Sequence, residues 1–213
     1  MVDLLHEWRT ATAAATETHY QWMRAHGVSS RTLNCGRPFG LYPGATVFGA
    51  ARVTFNTDGT YAPDPAGVPA VIVPCDVQGS GQYIIDPTGS KGGYVVDRGG
   101  FLVDVLDLCA FLPREPWKWR TRNGSAKFID GQAVDRAARH GRRCWIFSTP
   151  LDWMRASCLG SVILDRKANL CVDFHGISHI EADSPALAAQ IKRQMREPDR
   201  YPRITCDYVE VAA

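Results

Sequence analysis

The sequence has no Cys-x-x-Cys pair, no apolar run near the roughly 18 residues a membrane-spanning helix needs, and a net charge of only +2 over 213 residues. Each shortage removes a class. Without paired cysteines, a zinc knuckle or dithiol redox motif is not expected. Without an apolar span, and with an N-terminus (MVDLLHEWRT) that is charged from the start, neither a membrane protein nor a secretory leader is expected. The seven cysteines are scattered, and Cys109, Cys144, Cys158 and Cys171 sit inside apolar runs, where a thiol behaves as a small buried hydrophobe. That usage suits a reducing cytoplasm. There is no Gly-x-Ser-x-Gly elbow, and Cys35 lies in Asn-Cys-Gly with no local base, so covalent catalysis has no candidate nucleophile. Gly89-Ser-Lys-Gly-Gly93 lacks the Gly-Lys-Ser/Thr step of a phosphate loop and runs into Tyr94-Val-Val, a strand pattern; it reads as a hairpin turn. No internal repeat or low-complexity linker is present.

What remains is an ordinary globular composition, 45% apolar and 22% charged. Asp3 is a plausible N-cap for one helix running to His26, stopped by Gly27, with Leu4, Trp8, Ala11, Ala15, Thr18 and Trp22 as its apolar stripe. Residues 28–110 look mainly β. Apolar segments (Thr46–Phe55, Ala70–Pro74, Gln82–Ile85, Gly93–Val96, Phe101–Leu112) alternate with turn chemistry at Asn56–Gly59, Asp64–Gly67 and Asp86–Gly89. Asp58-Gly59 is a hairpin signal. Phe101–Leu112 fits a buried strand or a short helix. Helices are expected over Gly131–Arg139, stopped by Gly141, and after Ser184-Pro185, where an N-cap oxygen precedes a proline at the first helical position. Ile204–Val211 reads as a last strand.

Between these elements, Cys144 to Asp165 reads as strand, Ser-Thr-Pro turn, amphipathic helix, Gly160, second strand: half of a parallel α/β unit. Such folds place ligand groups at the turn after the first strand. Here that turn carries Ser148 and Thr149, where a metal-dependent nucleotidyl site would need a carboxylate.

Charge is uneven. From Arg114 to Arg143 there are nine Lys/Arg and three acids, so this segment carries +6 against +2 for the whole chain. Within it, Trp117 and Trp119 alternate with Lys118, Arg120 and Arg122, and Arg136, Arg139, Arg142 and Arg143 follow. Interleaved rings and cations are what single-stranded nucleic acid binding uses. Strand alternation would put the rings on one face and the charges on the other. The simpler reading is therefore a half-buried strand with a solvated basic face. The candidate nucleic-acid residues are Trp117, Lys118, Trp119, Arg120, Arg122, Arg139, Arg142 and Arg143.

Residues 173–183 (DFHGISHIEAD) are rich in metal-ligand types. His175-Gly176 breaks a helical histidine pair, so His175 and His179 read as a loop and a strand-edge histidine. Glu181 and Asp183 would share one face at a strand end. They fit a magnesium cradle, with Asp152 as a possible third ligand, or they complement the dipole of the following helix.

The order of these segments resembles the catalytic core of bacterial and phage-type DNA primases and primase-helicases. His19–Val28 is similar to that family's amphipathic helix and its turn. Pro69–Gly79 is similar to part of the β-rich module, and Phe147–Gly160 to the start of the TOPRIM domain. Ile180–Ala189 stands where the family has Asp-x-Asp and a helix. In that alignment Ser148 occupies the glutamate position, Thr149 its glycine and Glu181 the first aspartate, while Asp183 matches. The resemblance implies a degenerate or truncated relative, of the kind phages, prophages and plasmids carry, whose cation has lost a ligand.

The expected fold is α+β: an N-terminal helix on a β-rich module (residues 1–140), then a small TOPRIM-like α/β unit (141–213). The expected role is a non-catalytic intracellular accessory protein without a cofactor, contacting DNA, RNA or a replication protein. A magnesium-dependent nucleotidyl-transfer or phosphodiester enzyme and a module that blocks a host protein are the alternatives.

Overall fold

A computed structural model describes residues 3–33, 47–76 and 105–195. The expected hairpin and strands at 82–96, the 86–93 turns, Cys35 and the 204–211 strand lie outside the described residues.

The N-terminal segment forms two helices where the stripe predicts one. Asp3 caps α1 (Leu4–Ala13), its carboxylate accepting from the His6 amide at 2.9 Å. The chain breaks at residues 14–16, and α2 (Glu17–Ala25) starts afresh. The Thr16 amide donates to Nδ1 of His19 (3.0 Å), whose ring also meets the Thr16 hydroxyl (2.8 Å). These contacts satisfy groups that a continuous helix would have bonded internally. The break lets the two halves reach different surfaces. A straight 3–26 helix would be roughly 35 Å long and confined to one side of a sheet. Gly27 does end α2, at φ +85, and the Val28 amide bonds back to the Met23 carbonyl. A single turn, α3 (Ser30–Leu33), follows.

Next come β1 (Gly49–Phe55), β2 (Tyr61–Pro63), β3 (Val68–Asp76), β4 (Val105–Leu112) and β5 (Glu115–Thr121), an antiparallel sheet in the order β2-β1-β3-β4-β5. The Asp58-Gly59 hairpin is where the sequence placed it, with Phe55 opposite Tyr61. The ambiguous run ending at Leu112 is a strand. Both faces of the sheet are covered, which is why β3 and β4 are nearly continuous apolar runs. On one face Ile72, Leu108, Ala110, Val53 and Tyr61 pack under Trp8 and Ala11 of α1. Gly49 lets that helix come close: a Cβ there would stand 2.7 Å from Ala11. On the other face Val71, Val73, Cys109, Phe111 and Trp119 join Met23 of α2.

The remaining elements are α4 (Gly131–Arg139), β6 (Arg143–Phe147), α5 (Pro150–Arg155), β7 (Ser161–Val162), β8 (His179–Ala182) and α6 (Pro185–Gln194). The three strands form a parallel sheet in the order β7-β6-β8, with Cys144 paired to Ile180 and Phe147 to Val162. Helix α4 packs with this sheet: Val134 and Ala137 share a core with Cys144, Ile146, Leu187 and Ile191. Leu151, Trp153 and Met154 of α5 enter the first sheet's core, so the two sheets are joined by packing as well as by the chain. The protein is thus α+β, helices at its N-terminus against a β sheet. No helix among the described residues is long and apolar enough to cross a membrane.

One polar device frames the join. Asp107 of β4 is fully buried, and its carboxylate accepts five backbone amides. Oδ1 takes those of Leu108 (2.8 Å), Arg122 (2.9 Å) and Asn123 (3.1 Å); Oδ2 takes those of Ser125 (2.8 Å) and Ala126 (3.3 Å). An ionised carboxylate survives burial only with such donors. Here they fix the turn that carries the chain out of β5 toward the second sheet.

Candidate nucleic-acid interface

β5 is the last strand of its sheet, and a groove of about 660 Å³ follows its outer edge. Trp117, Lys118, Trp119 and Arg120 form one wall. The 57–59 hairpin turn and the 164–167 loop, with Arg166 and Lys167, complete it. Strand alternation alone would separate the rings from the cations. The end position in the sheet order reunites them: apart from a bridge between Thr121 and Thr60, the outer edge of β5 is unpaired among the described residues, and residues 117–120 all line the groove. Trp119 is buried at 8% exposure, anchored in the core, whereas Trp117, two residues nearer the strand's start, is 57% exposed.

The cations differ in how firmly they are held. Arg166 is exposed and its guanidinium lies 4.4 Å from the Trp119 ring centre, a cation–π contact that presents a flat cationic surface. Lys118 pairs with Glu115 at 2.7 Å on the surface, where such a pair contributes little. Arg120 bends over Phe55 (5.7 Å) and donates through Nη1 to the Trp119 carbonyl (2.9 Å); its Nε is shielded and has no acceptor. That unmet donor leaves Arg120 incompletely satisfied where it stands. The 164–167 loop is braced: Asp165 accepts the Lys167 amide (2.8 Å), and Gln194 of α6 donates to the carbonyls of Asp165 and Ala168 (both 3.2 Å).

The other four sequence candidates lie elsewhere. Arg122 turns to the α1 face, pairing with Glu7 (2.8 Å) beside Tyr61, whose hydroxyl also donates to Glu7. Burial, and then the Glu7 charge, push the Tyr61 hydroxyl far above its ordinary value. Arg139, Arg142 and Arg143 gather where α4 turns into β6. Arg143 there pairs with Glu181 (3.1 Å) and lies over Trp145 (5.9 Å). The sequence reading missed Arg166 and Lys167, because their nearness to Trp119 exists only in the folded chain.

The second candidate site is the C-terminal edge of the parallel sheet. Ser148 follows β6 and Asp183 follows β8, side by side. The Ser148 amide donates to Oδ2 of Asp183 (2.7 Å) and its hydroxyl to Oδ1 (2.5 Å), while the Ser184 hydroxyl lies 3.0 Å from that of Ser148. Asp183 therefore ties two strand ends together. Capping of α6 falls to Ser184, which accepts from the Leu187 amide. Thr149 caps α5 and donates to Asp152 (2.6 Å), whose other oxygen pairs with Arg155 (2.8 Å). Asp152 is held by Thr149 and Arg155, Glu181 by Arg143 and Asp183 by Ser148. Among the described residues no three His, Cys, Asp or Glu side chains converge as metal ligands. His175 lies in a turn and His179 opens β8, the loop and strand-edge placement expected. Burial pushes the Cys144 thiol up to about 12 and the Cys109 thiol higher still, so neither is a thiolate nucleophile at neutral pH.

Compared with protein-family models, curated proteins and solved structures, the chain matches none.

Proposed function

We propose that the protein is a non-catalytic accessory factor that binds single-stranded nucleic acid in the groove along β5. The observation that carries this reading is the exposed Trp117 ring set among Lys118, Arg120, Arg166 and Lys167 in one cleft. An unpaired base can stack on such a ring for about 1–3 kcal/mol, while the cations meet the phosphates. A paired base has no free face to offer, so a duplex gains only the phosphate contacts.

The scaffold we propose is primase-like, of the type phages, prophages and plasmids carry, with a TOPRIM-like parallel unit. Two features support it: Ser148 and Asp183 stand side by side at the ends of neighbouring parallel strands, and the helix-sheet-α/β order agrees with the family's. Of the positions that should supply the family's carboxylates, one is Ser148, which bonds to Asp183, and Glu181 pairs with Arg143, which favours a binding role over nucleotidyl transfer.

The test is fluorescence anisotropy of a labelled single strand titrated with protein over a salt series. The expected result is saturable binding at low salt that weakens steeply as salt rises, with duplex bound less tightly. Absence of binding to any single strand at low salt overturns the reading and leaves a protein partner as the alternative.

A further inference from the structure

The loop that closes the β5 groove also walls a second one. Arg166 and Lys167 line a neighbouring cleft of about 520 Å³ whose far side is α6, with Gln190, Arg193 and Gln194, and whose floor includes Asn169. Among the described residues its polar lining is cations and amides, with no acid. Arg193 is exposed in the last turn of α6, and no ion pair holds it among the described residues. Gln190 and Gln194 bond to one another (3.1 Å), and Gln194 also fixes the loop, so the partition between the clefts is held in place before any ligand arrives.

From this geometry we infer that the two clefts form one track, and that the ligand is an extended single strand crossing the Arg166–Lys167 partition. This inference rests on the single-strand reading above and adds the extent and path of the ligand. The two halves divide the work. The β5 cleft supplies the stacking ring, Trp117. The α6 cleft has no aromatic residue among the described ones; it supplies Arg193 for phosphate and the Asn169 and Gln190 amides for sugar or base edges. Arg166, over the Trp119 ring, stands between them as a guanidinium on which a crossing base can stack. Lys118, Arg120, Lys167 and Arg193 then meet phosphates of one strand, with Arg166 under a base. Four phosphate contacts imply a slope of log affinity on log salt of about −2.8, against about −2.1 for the three phosphate-binding cations of the β5 cleft alone.

The test is a ladder of oligothymidylates from about 3 to about 15 nucleotides, spanning the usual site sizes for such grooves. It is titrated against the full chain and against Arg193→Glu, Trp117→Ala and a Gln190→Ala/Arg193→Ala pair. Affinity is expected to climb beyond the shortest oligomers and then level off. Arg193→Glu is expected to lower the ratio of long- to short-oligomer affinity by roughly tenfold and to reduce the salt slope by at least about 0.7. Trp117→Ala is expected to weaken every length. If Trp117→Ala weakens binding while Arg193→Glu and the paired variant keep the wild-type length dependence and salt slope, the track is wrong and the β5 site stands. If the unaltered protein binds no oligomer of any length, the single-strand reading itself falls, and the track with it.

Discussion

The groove along β5 and the strand ends of β6 and β8 are two places where polar chemistry gathers among the described residues, and they are built in opposite ways. At the strand ends the polar groups are spent on one another: Asp183 on Ser148, Asp152 on Thr149 and Arg155, Glu181 on Arg143. In the groove, Arg166 and Lys167 are exposed and Trp117 projects into solvent. A closed network stabilises the fold and offers a ligand little. An open one leaves its groups ready for a partner. The comparison also explains why the carboxylate-bearing edge, which sequence patterns single out first, is the weaker candidate.

The largest effect should come from the groove's buried support. Asp107→Ala removes a carboxylate that five amides converge on and leaves several of them shielded without acceptors. A loss of about 3–4 kcal/mol in unfolding free energy is expected, read from the denaturant midpoint at unchanged slope. A loss below about 1 kcal/mol would mean the turn after β5 does not depend on this residue.

Asp130 sharpens the contrast, being a buried carboxylate with few donors. It caps α4 through one amide, that of Ala133 (2.8 Å), and Arg136 is 3.9 Å away. Burial, only partly offset by these partners, pushes it up to about 6. Between about pH 4 and pH 6 the folded chain holds a proton that the unfolded chain has released. Stability from this group is therefore fullest below pH 4 and falls as pH rises to 6, by an amount on the order of 2 kcal/mol. Asparagine caps as well without ionising. The difference between wild type and Asp130→Asn should thus change across that window and be flat above it; a flat difference throughout would contradict the assignment.

Trp117→Ala should cost 1–3 kcal/mol in single-strand affinity and almost nothing in stability, since the ring is mostly outside the core. Equal binding by wild type and variant would remove the groove's main claim. The smallest effect is expected at the strand ends. Asp183→Ala should lower stability by about 1 kcal/mol, a charged hydrogen-bond pair discounted for its exposure, and shift single-strand affinity by no more than about twofold. A large loss of binding in that variant would reverse the ranking of the two sites.

Much of the frame was legible in the sequence because it rests on local chemistry. Asp3, Gly27, Asp58-Gly59, Gly141 and Ser184-Pro185 mark boundaries that the structure keeps. The single long helix was not kept, because residues 14–16 have no breaker of the Gly or Pro type; Thr16 and His19 start α2 through contacts visible only in three dimensions. For the site, Trp117 to Arg120 announced themselves by spacing. Their union on one edge did not, since it depends on β5 ending the sheet, and Arg166 reaches Trp119 across 47 residues of chain. Asp107 carries a signal of its own: a lone acid within Val105–Leu112 has to find donors once buried.

Trp145 provides the internal control for the central claim. It too is an exposed ring with an arginine beside it, Arg143, but it stands on β6, away from the groove. Photo-crosslinking of a single strand carrying 5-iodouracil, followed by peptide mapping, compares the two directly. The expected result is crosslinking at Trp117, on the peptide that also carries Lys118 and Trp119. Crosslinks confined to Trp145, with the β5 peptide unlabelled, would contradict the groove as the binding site.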